Sequence, residues 1–257
     1  MKDIKESVAE SLDGSNVDLY PYLPYLLQDL YEIGTDPRMV SKMIAKNIPD
    51  PKNLMVLDLG CGKGAVSIQL AKELNCSILG IDAIPDFVEQ ANRCAKEQGV
   101  HQNCTFQVDD IRIAYNNFQD FDLVVLGAIG PVLGNLNETL IKVSQCLKPS
   151  GYVILDDGYI PDNSEFIHDK CITRNQFYNQ IKDSDFNVVE EEIIGIDYMQ
   201  EQNSTIFDAI QRRANELIAQ YPEKTHLFIE YLKEQETENS ALENELVCGI
   251  WLLKRDY

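Results

Sequence analysis

Long hydrophobic runs are missing from this chain of 257 residues, and none approaches the ~20 apolar residues of a membrane-spanning helix. The start, Met1-Lys2-Asp3-Ile4-Lys5-Glu6, also lacks the apolar core of a secretory signal. Seven cysteines (61, 76, 94, 104, 146, 171 and 248) include no Cys-x-x-Cys pair and make an odd total. That argues against a disulfide framework and a zinc site, and suits a reducing cytoplasm. Positive charge is scarce: 22 Lys and Arg stand against 42 Asp and Glu, for a net charge of −20, and the basic residues form no run. So acidic a surface repels the phosphate backbone and anionic lipid, so neither a nucleic-acid nor a membrane partner is expected. There is no internal repeat, low-complexity tract or composition shift to mark a second domain, and nothing visible requires a metal.

What is present is an alternation of apolar runs and helical segments, the pattern of a mostly parallel sheet covered on both faces. The runs predict strands over 54–59, 77–82, 104–108, 121–126, 151–156, 188–194 and 247–254. Helices are predicted over 65–74, 85–98, 138–146 and 174–184, the second with Pro85 in its first turn and Gly99 after its end. Another helix starts at Pro37, capped by Asp36, behind an aromatic segment, Tyr20-Pro21-Tyr22-Leu23-Pro24-Tyr25. Between Gly195 and Glu245 the strands are interrupted. Ile206, Ile210, Ala214, Leu217 and Tyr221 recur there at helical spacing, and Leu227, Phe228 and Tyr231 continue the pattern. The acidic tract 234–245 reads as an exposed turn or helix end.

The most informative stretch is Val56-Leu57-Asp58-Leu59-Gly60-Cys61-Gly62-Lys63-Gly64, followed by Ile78-Leu79-Gly80-Ile81-Asp82. It predicts a buried strand, a glycine loop, a helix, and a second strand ending on a carboxylate. Without a Cβ at three alternate positions the backbone can approach a ligand closely. The helix from Ala65 then directs its unpaired N–H groups at a carboxylate or phosphate. Asp82 is an acceptor-only group at a strand tip, suited to a ribose diol. Together they describe a cradle for a nucleoside with an anionic tail.

These residues resemble the class I S-adenosylmethionine-dependent methyltransferases over about 54–157. The match is made by the acidic-x-Gly-x-Gly-x-Gly loop from Asp58, by Asp82, by Phe106-Gln107-Val108-Asp109-Asp110-Ile111, by Phe121-Asp122-Leu123-Val124-Val125-Leu126, and by Leu147-Lys148-Pro149-Ser150-Gly151-Tyr152. The resemblance implies that the loop, with Gly60, Cys61 and Gly62, holds the methionine end of S-adenosylmethionine, with Asp58 near its ammonium. It implies that Asp82 and Ala83 meet the ribose, that Asp110 with Ile111 meets adenine (Asp109 being second choice), and that Gly127 and Ala128 face the transferred methyl. The acceptor is then expected above strands four and five. The strand-four loop, Gly127 to Gly134, offers no side-chain base, and Gly130-Pro131-Val132 replaces the acidic or amide residue, proline and aromatic found in some amine-methylating relatives. Strand five ends in Asp156-Asp157-Gly158-Tyr159, which makes Asp157 and Tyr159 the candidates to position or deprotonate an acceptor. His168 and His226 are further candidate bases, and Tyr20, Tyr22 and Tyr25 would wall the pocket or cover the sheet.

The expectation is a Rossmann-like α/β domain with seven strands, the last antiparallel. It divides into an N-terminal helical cap (1–50), a cofactor-binding core (51–195), a helical insertion that serves as lid or homodimer surface (196–245), and a last strand (246–257). Its expected activity is methyl transfer from S-adenosylmethionine to a small molecule. The alternatives are a non-catalytic S-adenosylmethionine-binding sensor or interaction module, or a dehydrogenase or aminopropyl transferase on the same scaffold.

Overall fold

In the computed structural model, which describes residues 2–256, the apolar runs become one seven-stranded sheet. The strands are β1 (Met55–Leu59), β2 (Ser77–Asp82), β3 (Cys104–Val108), β4 (Phe121–Gly127), β5 (Leu147–Tyr159), β6 (Phe186–Ile193) and β7 (Val247–Arg255). They lie in the order β3-β2-β1-β4-β5-β7-β6, with β7 antiparallel to both neighbours and the other pairings parallel. The order reverses between β1 and β4, so the crevice at their carboxyl ends is where a ligand is expected.

Among the described residues ten α-helices flank the sheet: α1 (Ile4–Ser11), α2 (Leu23–Leu26), α3 (Pro37–Asn47), α4 (Ala65–Leu74), α5 (Pro85–Glu97), α6 (Ile111–Ala114), α7 (Leu136–Ser144), α8 (Arg174–Asp183), α9 (Ile196–Gln220) and α10 (Thr225–Asn244). Alternation along the strands sorts side chains to two faces. Val56, Val125 and Ile154 pack with α3, α4 and α5, whereas Leu57, Val124 and Val153 pack with α7 and α8. Trp251, fully buried on the second face, packs at a tilt of 52° on Phe177 with centroids 4.7 Å apart.

A third cluster forms the roof. Leu19, Leu23, Leu26 and Leu30 from the N-terminal segment interlock with Ala214, Leu217 and Phe228 from α9 and α10, above Ile84 and Phe87. Of the turn and the helix end expected for the tract 234–245, it is the helix end, because α10 continues to Asn244. Gln235, only 7% exposed, anchors that half by donating to Leu12 O and Asp13 Oδ2, and Asn203 of α9 donates to Glu243. Nor do the N-terminal tyrosines wall a ligand pocket. Tyr22 lies edge-on to Tyr221 and Phe228, and Tyr25 donates to Glu216, so both fasten the roof together.

Candidate functional site

The glycine loop turns at the end of β1 with three residues in left-handed backbone, and each glycine has its own reason. At Gly62 (φ +52°) a Cβ would meet nothing within 4 Å, and the residue lines a cavity, so this is the point of close approach. At Gly60 a Cβ would lie 2.6 Å from Ile129 Cγ2, so here the glycine also admits the β4 loop. Gly64 departs from the expectation that a Cβ would displace a ligand. A Cβ there would strike the Phe106 ring at 2.9 Å, so this glycine seats α4 against the sheet.

Asp82 organises the loop. Its Oδ2 accepts from Gly62 N–H (2.8 Å) and its Oδ1 from Ile84 N–H (2.9 Å), and burial raises its pKa above the usual carboxylate range. A carboxylate has about four lone-pair directions, so two remain for a ligand in the cavity that Asp82 lines. Asp110 is committed differently. It caps α6 and holds Arg112 through Nε and Nη2 (2.7 Å), an ion pair that keeps its carboxyl below the usual range. Arg112 in turn donates to Lys2 O (3.0 Å), which ties the start of the chain to the site.

Two adjoining cavities open at the strand ends. The smaller, about 350 Å³, is bounded by Gly60, Gly62, Asp82, Ala83, Asp110 and Ile111, and closed by α1 and α10. The larger, about 930 Å³, extends over the ends of β4 and β5 beneath α9 and α10, and includes Asp156, Asp157 and His168. Ala128 and Ile129 border both. Ala128 sits at φ +54°, an uncommon conformation for a residue with a Cβ, and directs the chain away from β4 at the junction.

Not every residue singled out in the sequence reaches a cavity. Gly60, Gly62, Asp82, Ala83, Asp110, Ile111, Gly127 and Ala128 line the smaller one. Asp58 and Cys61 line neither, and both are buried under the loop. Asp58 Oδ2 accepts from Ser67 Oγ (2.6 Å), and burial lifts its carboxyl to about 6. Asp109 is exposed outside both cavities. Tyr159 is 6% exposed among Phe177, Tyr178 and Trp251 and lines neither cavity. His226 borders neither cavity.

Several residues of the site carried no signal in the sequence. Asp13, Arg112 and Glu238 come from segments far apart in the chain, and only the roof brings them together. Lys63 did carry one, as a lysine inside a glycine loop. It is 2% exposed, donates to Leu27 O (2.5 Å) and Leu30 O (2.6 Å), and lies 5.4 Å from the Phe87 ring centroid. Burial lowers its pKa to about 8.

Comparison with known proteins agrees with this geometry. A family model described as a methyltransferase domain matches residues 50–215. A probable cobalt-precorrin-6B C(15)-methyltransferase of Methanothermobacter thermautotrophicus is 31% identical over 104 residues, which cover 40% of this chain and 52% of that protein. The chain thus matches about half the length of that relative. A ubiquinone biosynthesis O-methyltransferase of Rickettsia felis is 27% identical over 172 residues, covering 59% of this chain and 68% of its own. Among solved structures, an S-adenosylmethionine-dependent methyltransferase from Geobacter sulfurreducens, crystallised with S-adenosyl-L-homocysteine, superposes with a TM-score of 0.75. It shares 17% identity, and the superposition covers 91% of this chain and 98% of that one.

Proposed function

We propose a function from one premise: the chain belongs to the class I S-adenosylmethionine-dependent methyltransferases. The reaction is methyl transfer from S-adenosylmethionine to a small-molecule acceptor, with the cofactor in the smaller cavity and the acceptor in the larger. The observation that carries this reading is the meeting of the two cavities at Ala128 and Ile129, beside a glycine loop pinned by Asp82.

The residues fit the cofactor. Gly62 leaves an open approach where a Cβ would intrude, and Asp82 keeps two acceptor directions for a ribose diol. Asp110 fixes the start of α6 through Arg112, so it shapes the adenine end, and its carboxylate is engaged by the guanidinium. When bound, the cofactor supplies an electrophilic methyl on a sulfonium. The protein aligns the acceptor and excludes water: Ile129, Val132 and Ile206 border both cavities and form an apolar junction. Asp157, on the larger cavity, positions the acceptor. The whole of residues 1–257 serves this one site, as cap, core, lid and last strand. The seven unpaired thiols suit a reducing cytoplasm.

Isothermal calorimetry with S-adenosylmethionine and S-adenosylhomocysteine tests the assignment. Asp82→Ala removes the acceptor for the ribose and the anchor of Gly62, so affinity is expected to fall about 100-fold or more. Unchanged affinity in the variant would overturn the assignment. Tight binding without methyl release to any acceptor from a broad metabolite pool would instead indicate a sensor.

A further inference from the structure

We propose that Gly34 is a positioning residue for methyl transfer: because it carries no side chain, the segment 33–35 lies against the turn after β4, and this contact sets the width of the opening in which the sulfonium methyl sits. The inference rests on the methyltransferase reading of the same site and names a part of it that the glycine motif does not contain.

Two backbone segments interleave at this point. Gly34 has φ +96°, in the region open to glycine, and a Cβ there would lie 2.9 Å from Ala128 Cβ. Carbons rest in contact at about 3.5–4.0 Å, so that separation is a collision. The relation is repeated one residue along, where a Cβ on Gly127 would lie 3.0 Å from Thr35 Oγ1. Each glycine therefore faces a side chain of the other segment, and a methyl group added to either forces the two apart.

The contact belongs to the site rather than to the core. Gly34 and Ala128 are both exposed, and each borders the smaller and the larger cavity. The glycine loop reaches the same turn from its other side, since a Cβ on Gly60 would lie 2.6 Å from Ile129 Cγ2. On the methyltransferase reading, the sulfur joins the methionine end at Gly60 and Gly62 to the ribose at Asp82, and so falls beside this turn. The segment 33–35 is also fastened at both ends. Before it, Lys63 Nζ donates to the carbonyls of Leu27 and Leu30. After it, Asp36 caps α3 and accepts from Tyr198 Oη of α9 (2.6 Å). Bulk added at position 34 is therefore taken up at the opening.

Calorimetry on the full chain tests the inference with three probes that differ at the sulfur. S-adenosylhomocysteine carries no further group there, S-adenosylmethionine a methyl and S-adenosylethionine an ethyl. Gly34→Ala is expected to weaken S-adenosylmethionine about tenfold relative to S-adenosylhomocysteine, and S-adenosylethionine more, because the overpacking falls where the group on sulfur sits. The backbone strain of alanine at φ +96° falls on all three probes alike. Adding Ala128→Gly removes the Cβ that is struck, and is expected to bring the ratio back to within about threefold of wild type. Equal losses for the three probes, unchanged affinity for all three, or no recovery with Ala128→Gly overturns the inference. Should Gly34→Ala not bind S-adenosylhomocysteine, the same criteria apply to Gly127→Ala, whose backbone is not left-handed, with Thr35→Ala as its relief. Failure of the wild type to bind S-adenosylhomocysteine would instead sink the methyltransferase reading, so the two failures are distinguishable.

Discussion

Asp58 shows how one buried carboxyl links the cofactor loop to stability. It is 3% exposed under the loop, Ser67 is its one side-chain hydrogen-bond donor among the described residues, and burial, with the charge of Asp82 adding to it, raises its pKa to about 6. The unfolded value is about 3.9, so between roughly pH 4 and 6 the folded state binds more protons, and stability falls as pH rises through that window. Above it the ionised group costs about 3 kcal/mol, a cost absent below about pH 4. Urea unfolding of the ligand-free protein at pH 5 and pH 7.5 measures this. Asp58→Asn is expected to gain stability relative to wild type by 1–2 kcal/mol more at pH 7.5 than at pH 5, roughly as the linkage relation requires. An equal effect at both pH values would contradict the raised carboxyl. The example also marks how far single residues were legible. The identity and strand-end position of Asp58, Asp82 and Asp110 followed from spacing, but their partners did not. Ser67 claims the first, two backbone amides the second, and Arg112 the third. Tyr159 illustrates the same limit, since what buries it is the aromatic cluster of Phe177, Tyr178 and Trp251, partners its position in β5 does not name.

Among the elements, the core helices and strands were readable because local signals coincide with tertiary ones. Pro85 opens α5, Gly99 follows its end, and β2, β3 and α4 begin and end where the apolar runs do. The second half of α10 was readable only as a turn or a helix end. Its polar composition resembles a loop, and what holds it helical is Gln235 buried against the N-terminal segment, a contact between positions more than 200 residues apart. Lys63 is a second long-range fastening, joining the glycine loop to the carbonyls at the end of α2. Lys63→Met keeps the apolar stem but leaves the buried Leu30 carbonyl without its donor, while Leu27 O keeps only the Leu30 amide, at a cost of about 1–3 kcal/mol. Limited proteolysis should then cleave the native variant within residues 12–36 several-fold faster than wild type, while cuts within α4 and β2 stay rare. Equal cleavage of both proteins in that segment would show that the roof does not depend on the lysine.

At the scale of the whole molecule, the site is assembled from the two ends of the sequence as much as from its middle. The methyltransferase motif accounts for the floor of the smaller cavity, but the walls come from α1, from the segment after α2, and from α9 and α10. These pieces meet through the buried cluster of Leu19, Leu23, Leu26, Ala214 and Phe228 and through polar ties such as Gln235 to Leu12 and Asp13. A ligand in that cavity therefore bridges parts of the chain whose own contacts with the sheet are few, and binding should stabilise them together. At 100 times its dissociation constant, S-adenosylhomocysteine stabilises the folded state by about 2.7 kcal/mol, which corresponds to roughly 5–10 °C in melting temperature for a chain of this size. Hydrogen exchange resolves where that energy goes. Amides within residues 4–13, 27–34, 60–64, 82–87, 203–210 and 231–242, which line the smaller cavity, are expected to slow on addition of the ligand, whereas those of β6 at the opposite edge stay unchanged. Protection confined to residues 56–130 would mean that the motif binds the nucleoside without the roof, and that α1, α9 and α10 do not close over it.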